Sequence, residues 1–174
     1  VEKTTPEDCY RLAPNIRQLD RYEIALWGHD PLSALLIPFK SKKLIKHTYS
    51  IFTEDKQVVG IFGVMPTVRN PRHGRIWFLT SDLLEKHYKF FLKCNKNWLH
   101  YMEEDYDLLF NYIIAENKIS IKWLKWQGFI FSKQNKLVKN VKIMYFYKRL
   151  HNVTKYGTQP ILDEIGPSWT TKLI

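Results

Sequence analysis

Asn117–Phe129 reads NKISIKWLKWQGF, a helix that carries its own start and stop. Asn117 is a capping residue type, Ser120, Ile121 and Leu124 share one helical face, and Gly128 supplies the left-handed residue at which helices end. Phe129 then opens a strand expected to be buried, Phe129–Ser132. Two apolar runs flank the segment: Asp107–Ala115, DLLFNYIIA, before it, and Lys142–Arg149, KIMYFYKR, after it. Both read as strands.

Working back from there, Ser81 and Asp82 offer caps to a long helix whose apolar stripe is Leu84, Tyr88, Phe91, Leu92, Trp98 and Met102. Gly74–Ser81, GRIWFLTS, reads as a strand buried on both faces, and Lys46–Thr53 with Gln57–Met65 as a hairpin turned by Glu54, Asp55 and Lys56. The N-terminal third is helical. Thr5 caps, Pro6 takes the first position and Asp8 sits three residues after the cap, while Pro14 splits the helix. Further helical pieces run up to Gly28 and onward from Asp30-Pro31 until Pro38 disturbs them. Strands that alternate with helices in the middle of the chain imply one right-handed βαβ unit. The flanking hairpins make the sheet mixed and mostly antiparallel, an α/β (α+β) fold with helices on its faces. The expected division is a domain over residues 1–150 and an extended arm over 151–174.

The chain has 174 residues, 45% hydrophobic and 15% aromatic, enough for one real core. No apolar run reaches the roughly 18 residues of a membrane span, and VEKTTPEDCYR is too polar for a signal peptide. Cys9 and Cys94 have no Cys or His at metal spacing, so they read as core thiols and no metal is inferred.

The charge is 27 Lys and Arg against 17 Asp and Glu, or +10. Its placement is uneven. From Asn117 to Arg149 there are nine basic residues and no acid, including Lys118, Lys122, Lys125, Lys133, Lys136 and Lys139. Lys40, Lys42, Lys43 and Lys46 form a second cluster, and Glu103, Glu104, Asp105 and Asp107 an acidic turn. A field of this kind suits nucleic acid, anionic lipid or an acidic protein patch, and equally a well-solvated surface. Trp123, Trp126 and Phe131, interleaved with lysines, are candidates for base stacking or for a protein-facing aromatic patch.

Three stretches carry a family resemblance: TPEDCYRLAPNIRQLDRYEI at the N-terminus, VVGIFGV over Val58–Val64, and NKISIKWLKWQGF. Together they resemble the GCN5-related N-acetyltransferase (GNAT) superfamily, whose N-x-x-A-I-x-x-Y-x-x-x-G-F pattern the last stretch matches in register. With WFLTSD (Trp77–Asp82), the basic-aromatic helix and the acidic turn, the chain is similar to the acetyltransferase-like internal virion protein A family of T7-like podophages. The resemblance covers about residues 3 to 149.

The resemblance implies an acetyl-CoA site, and the chain departs from it twice. Family members hold the pyrophosphate on a glycine-bearing loop that opens the long helix, because glycine lets backbone amides approach phosphate. Here Thr80-Ser81-Asp82-Leu83-Leu84-Glu85 has no glycine, and Asp82 and Glu85 would repel the anion. Family members also use a Tyr, seven residues after the motif Asn, to protonate the leaving thiolate, a role worth about 10²–10⁴-fold. That position is Leu124. Any remaining cofactor contact would fall on Leu79, Thr80 and Asn117, and a base for the amine on His73, His87 or Asp82. No catalytic residue is assigned.

The arm, HNVTKYGTQPILDEIGPSWTTKLI, spaces short apolar groups among Gly and Pro. Ile161, Leu162, Ile165, Trp169 and Leu173 suit an extended anchor on a partner, with a strap folded over the chain's own sheet as the alternative. The expected function is that of a phage virion structural or assembly protein with a degenerate acetyltransferase fold, made in the bacterial host cytoplasm. It would contact other virion proteins of the portal, tail or internal core in multiple copies, with weak DNA contact and no cofactor. The alternatives are an active N-acetyltransferase using acetyl-CoA and a basic nucleic-acid-contacting module.

Overall fold

The structure, a computed structural model, describes residues 1–86 and 104–150. Seven strands form one sheet in the order β1-β2-β3-β4-β5-β7-β6. They are β1 (Glu2–Lys3), β2 (His47–Phe52), β3 (Val58–Pro66), β4 (His73–Thr80), β5 (Leu108–Ile114), β6 (Ile130–Val138) and β7 (Val141–Arg149). Every pairing is antiparallel except β4 with β5, the expected parallel pair.

Helices α1 (Pro6–Leu12), α2 (Gln18–Leu26) and α3 (Pro31–Leu36) pack on one face of the sheet. Thr5 and Asp8 close a reciprocal capping box on α1, and Pro14 turns the chain into a short 3₁₀ segment, Ala13–Asn15. This layer buries Cys9, Leu12, Ile24 and Leu35 against Ile61, Met65 and Trp77. Burial pushes the Cys9 thiol up to about 12, which fits a core thiol. The helix Lys118–Trp126 covers the other face, with Ile121 and Leu124 among Phe62, Ile76, Leu109 and Phe146. β4 thus meets a core on each side, Trp77 on one and Ile76 on the other, as its unbroken apolar centre implies. Gly28 and Gly128 end their helices with φ of 79° and 85°.

Three expectations need correction. Phe129 is buried, but the strand after it runs nine residues along the sheet's rim and is largely exposed. Its pairing breaks between Phe131 and Asn135, which hides the alternation that would have revealed an edge. Ser81 does not cap the long helix: its hydroxyl donates to Val59 O at 3.0 Å and its backbone bridges Ile16. A four-residue helix, α4 (Lys42–Ile45), capped by Ser41, fills a stretch read only as a lysine cluster. Of the aromatic candidates on this helix, Trp123 is half-buried with its ring 6.2 Å from Phe78, and Trp126 is half exposed. A helical turn is described from residue 83 to 86; the expected long helix with its stripe beyond Leu84 and Cys94 lie outside the described residues, as does the arm.

Candidate functional site

β4 and β5 pair for only three residues, His73–Arg75 with Leu108–Phe110. Beyond that point the ladder stops, and the backbone groups of both strands need other partners. A cavity of about 120 Å³ lies at this divergence, lined by β4, β5, α2 and the Lys118–Trp126 helix. Its wall includes Leu79, Asn117 and Leu124.

Side chains supply the missing backbone partners. Asn111 donates through Nδ2 to Ile76 O at 2.7 Å, while its Oδ1 accepts from Tyr112 N at 2.8 Å. Asp20, from α2, is buried; its Oδ2 accepts from Thr80 N at 3.0 Å and from the Thr80 hydroxyl at 3.2 Å. Glu23, one turn on, accepts from Ile114 N at 3.0 Å and from Asn117 Nδ2 at 3.4 Å. Asn117 meanwhile caps its own helix by accepting from Ser120 N at 3.2 Å.

Arg17 links the two helices across the cavity. Its Nη2 lies 2.7 Å from Asp20 Oδ1 and donates to Ser120 Oγ at 3.2 Å. Charge is therefore balanced at Asp20. Glu23 has no such close cation, and burial, helped by the charge of Asp20, raises its carboxyl from 4.5 to about 7. The Ile114 amide, the Asn117 amide and Arg17 oppose that rise without cancelling it.

The residues expected at a cofactor site divide. Leu79 and Asn117 line the cavity and Thr80 adjoins it, with its backbone N–H engaged by Asp20. Leu124 faces the cavity from a buried position where a hydroxyl would have stood. Neither described candidate base reaches it: His73 begins β4 at the opposite end from Thr80, and Asp82 lines a separate depression with Arg11 and Lys86. His87 lies outside the described residues. The titratable group that is present, Glu23, was missed. Its signal was faint: Asp20, Ile24 and Trp27 follow a buried helical period, so an acid stood on an apolar stripe with Glu23 beside it.

The basic residues do not converge on this cavity. Lys118, Lys122 and Lys125 lie on the helix, Lys133 and Lys136 on β6, and Lys139 in the turn after it. Lys125 Nζ stands 5.7 Å over the Phe131 ring, which itself packs 5.7 Å from Phe146. The anchor residues Ile161, Leu162, Ile165, Trp169 and Leu173 lie outside the described residues. Among the described residues there is no cluster of three metal-ligating side chains and no helix long and apolar enough to cross a membrane.

Comparison with solved structures identifies the architecture. The chain is similar to a ribosomal-protein-alanine N-acetyltransferase from Brucella melitensis, at 16% identity over 86% of this chain and 98% of that one, TM-score 0.64. Ard1 from Thermoplasma volcanium gives 12% identity, 86% and 96% coverage and a TM-score of 0.63. A GNAT-family acetyltransferase from Streptococcus pneumoniae gives 14%, 86% and 98%, and 0.57. The fold is that of the GNAT acetyltransferases. A family model described as bacteriophage T7 probable scaffold protein Gp13 matches residues 63–136, less than half of the chain. No curated protein matches it.

Proposed function

We propose that the chain is a phage assembly protein that works through protein contacts on an acetyltransferase fold whose cofactor cleft is filled by its own side chains. The observation that carries this reading is the pair Asp20 and Glu23. They take the backbone N–H groups of Thr80 and Ile114, at 3.0 Å each, where the two central strands part. The match of residues 63–136 to a phage scaffold family supports the assembly half.

The residues present do not fit acetyl-CoA. The cavity holds about 120 Å³, against roughly 300–1,000 Å³ for small-molecule sites. Asp20 and Glu23 line the cavity with their carboxyl groups engaged by Thr80 and Ile114, and Ser81, in the segment where the resemblance would put the phosphate loop, is tied to β3. A buried alkyl side chain, Leu124, replaces the proton donor. Loss of binding and loss of proton donation fall at separate steps, so no single reversal restores catalysis.

In this reading the protein joins other virion proteins at the portal or tail vertex or in the internal core, in several copies, in the manner of the internal virion protein A family it resembles. The arm around Trp169 serves as the anchor, and the basic face contributes at most weak DNA contact. Calorimetric titration with acetyl-CoA tests the first half: no heat up to millimolar cofactor is expected, and micromolar binding would overturn it. Deletion of residues 156–174 tests the second, with the domain still folded and particle incorporation lost; unchanged incorporation would remove the anchor.

A further inference from the structure

β6 ends the sheet: among the described residues its one strand neighbour is β7. The turn between them, Lys139-Asn140, has positive φ at both residues, 48° and 65°, and is closed by the pair Val138–Val141. In such a two-residue hairpin the closing pair exchanges hydrogen bonds, and pairs alternate from there. Leu137, opposite Lys142, and Asn135, opposite Met144, therefore turn their N–H and C=O groups toward the outer edge.

Sheet edges are ordinarily blunted by charge, proline or a covering element. This one is only partly blunted. Leu137 is 73% exposed and Ile130 56%, and Trp126 stands 51% exposed just before the strand. Lys133 and Lys139 are exposed beside them, within a stretch from Asn117 to Arg149 that has no acid. In the chain's acidic turn Asp105 is held by Lys46 and His47, and Asp107 by Arg72. Among the described residues no carboxylate pairs with Lys133 or Lys139.

We propose that β6 is a docking edge, taking as an added strand an extended segment of another virion protein that carries an apolar residue between acidic ones along one face. Main-chain hydrogen bonds to Asn135 and Leu137 set its register. Its apolar side chain covers Leu137, and its carboxylates meet Lys133 and Lys139. A protein strand suits the edge better than nucleic acid, since Leu137 and Ile130 offer nothing to a phosphate backbone. Trp123 and Phe131 are half-buried with their rings against Phe78 and Phe146, which leaves less of either for base stacking. This inference rests on the assembly reading and names the chemistry of its partner.

The test uses the full chain and a fluorescent octapeptide that carries Glu, Val and Glu at successive positions of one strand face, followed by anisotropy. Binding is expected, weakened about tenfold or more by N-methylation of alternate peptide amides. Leu137→Pro, which removes an outward N–H while sparing the ladder to β7, should weaken it as much. Should Leu137→Pro disturb the fold by circular dichroism, the double variant Lys133→Glu, Lys139→Glu gives the second reading, again a loss of about tenfold or more. Absence of binding, or binding indifferent to N-methylation and to the charge reversals, overturns the proposal. Tighter binding of short duplex DNA than of peptide, abolished by the charge reversals, overturns it in favour of nucleic acid, and a concentration-dependent dimer that excludes the peptide does so in favour of a second copy. Particles that assemble normally with Leu137→Pro would remove the edge and leave the assembly reading standing, whereas acetyl-CoA binding would remove that reading and leave the edge.

Discussion

Asn111 donates to the carbonyl of Ile76 at 2.7 Å across the point where the β4–β5 ladder ends. One side-chain amide there does the work of two ladder bonds, since its oxygen also accepts from Tyr112 N. Asn111→Ala is expected to cost about 1–3 kcal/mol, the range for partly buried backbone groups left without partners. Asn111→Asp should cost at least as much at neutral pH, because a carboxylate would then face a carbonyl. Denaturant unfolding of the three proteins measures both, and an Asn111→Ala protein as stable as wild type would mean that water replaces the amide.

Glu23 gives the fold a pH dependence of predictable sign. Its folded carboxyl stands near 7 rather than 4.5, chiefly through burial. A carboxyl raised in this way favours the folded state fully below pH 4.5 and loses that contribution as pH climbs through 7. The difference corresponds to about 3 kcal/mol. Between pH 4.5 and 8 the Glu23→Gln variant should therefore lose less stability than wild type by about that amount. Parallel pH profiles for the two proteins would show that Glu23 ionises normally.

Both acids at the cleft escaped the sequence reading for a physical reason. The capping box at Thr5, the stops at Gly28 and Gly128 and the β2–β3 hairpin are written in neighbouring residues, so they were legible. The segment that carries the resemblance, Asn117–Phe129, lines the cavity through Asn117, Ser120, Trp123 and Leu124. Asp20 and Glu23 act on groups 60 and 91 residues away, and no local pattern marks an acid whose partner is a strand's last free amide. The same holds for β6. Its apolar residues lose their alternation where the pairing slips between Phe131 and Asn135, so the rim of the sheet read as a short buried strand.

Gly63 is held by close approach rather than by an unusual φ. A Cβ built there would run into the carbonyl oxygen of His47 on the paired strand, with Thr48 Oγ1 at 3.1 Å. Backbone cannot yield as a side-chain tip would, so Gly63→Ala is expected to cost about 1–3 kcal/mol or more. Gly28→Ala has no atom within 4 Å and only the left-handed φ of 79° to oppose it, which makes it the control. Thermal unfolding should rank Gly63→Ala below Gly28→Ala, and the reverse order would deny the close contact between β2 and β3.

Leu124→Tyr supplies the proton donor that the sequence resemblance would put there and is expected to bring no chemistry. Leu124 is 4% exposed and packed in the core with Phe62, Ile76 and Phe146. A phenol there is larger than the leucine and brings a hydroxyl that needs a partner, so the variant should lose about 1–3 kcal/mol. Acetyl transfer should stay at background, because the cavity that Leu124 lines is small and shared with the Arg17–Asp20 pair and the Glu23 carboxyl. Thiol release from acetyl-CoA, assayed with an amine acceptor, reads the outcome directly. Turnover in Leu124→Tyr above the wild-type background would mean that the cleft still admits the cofactor and that a missing proton donor alone had silenced it.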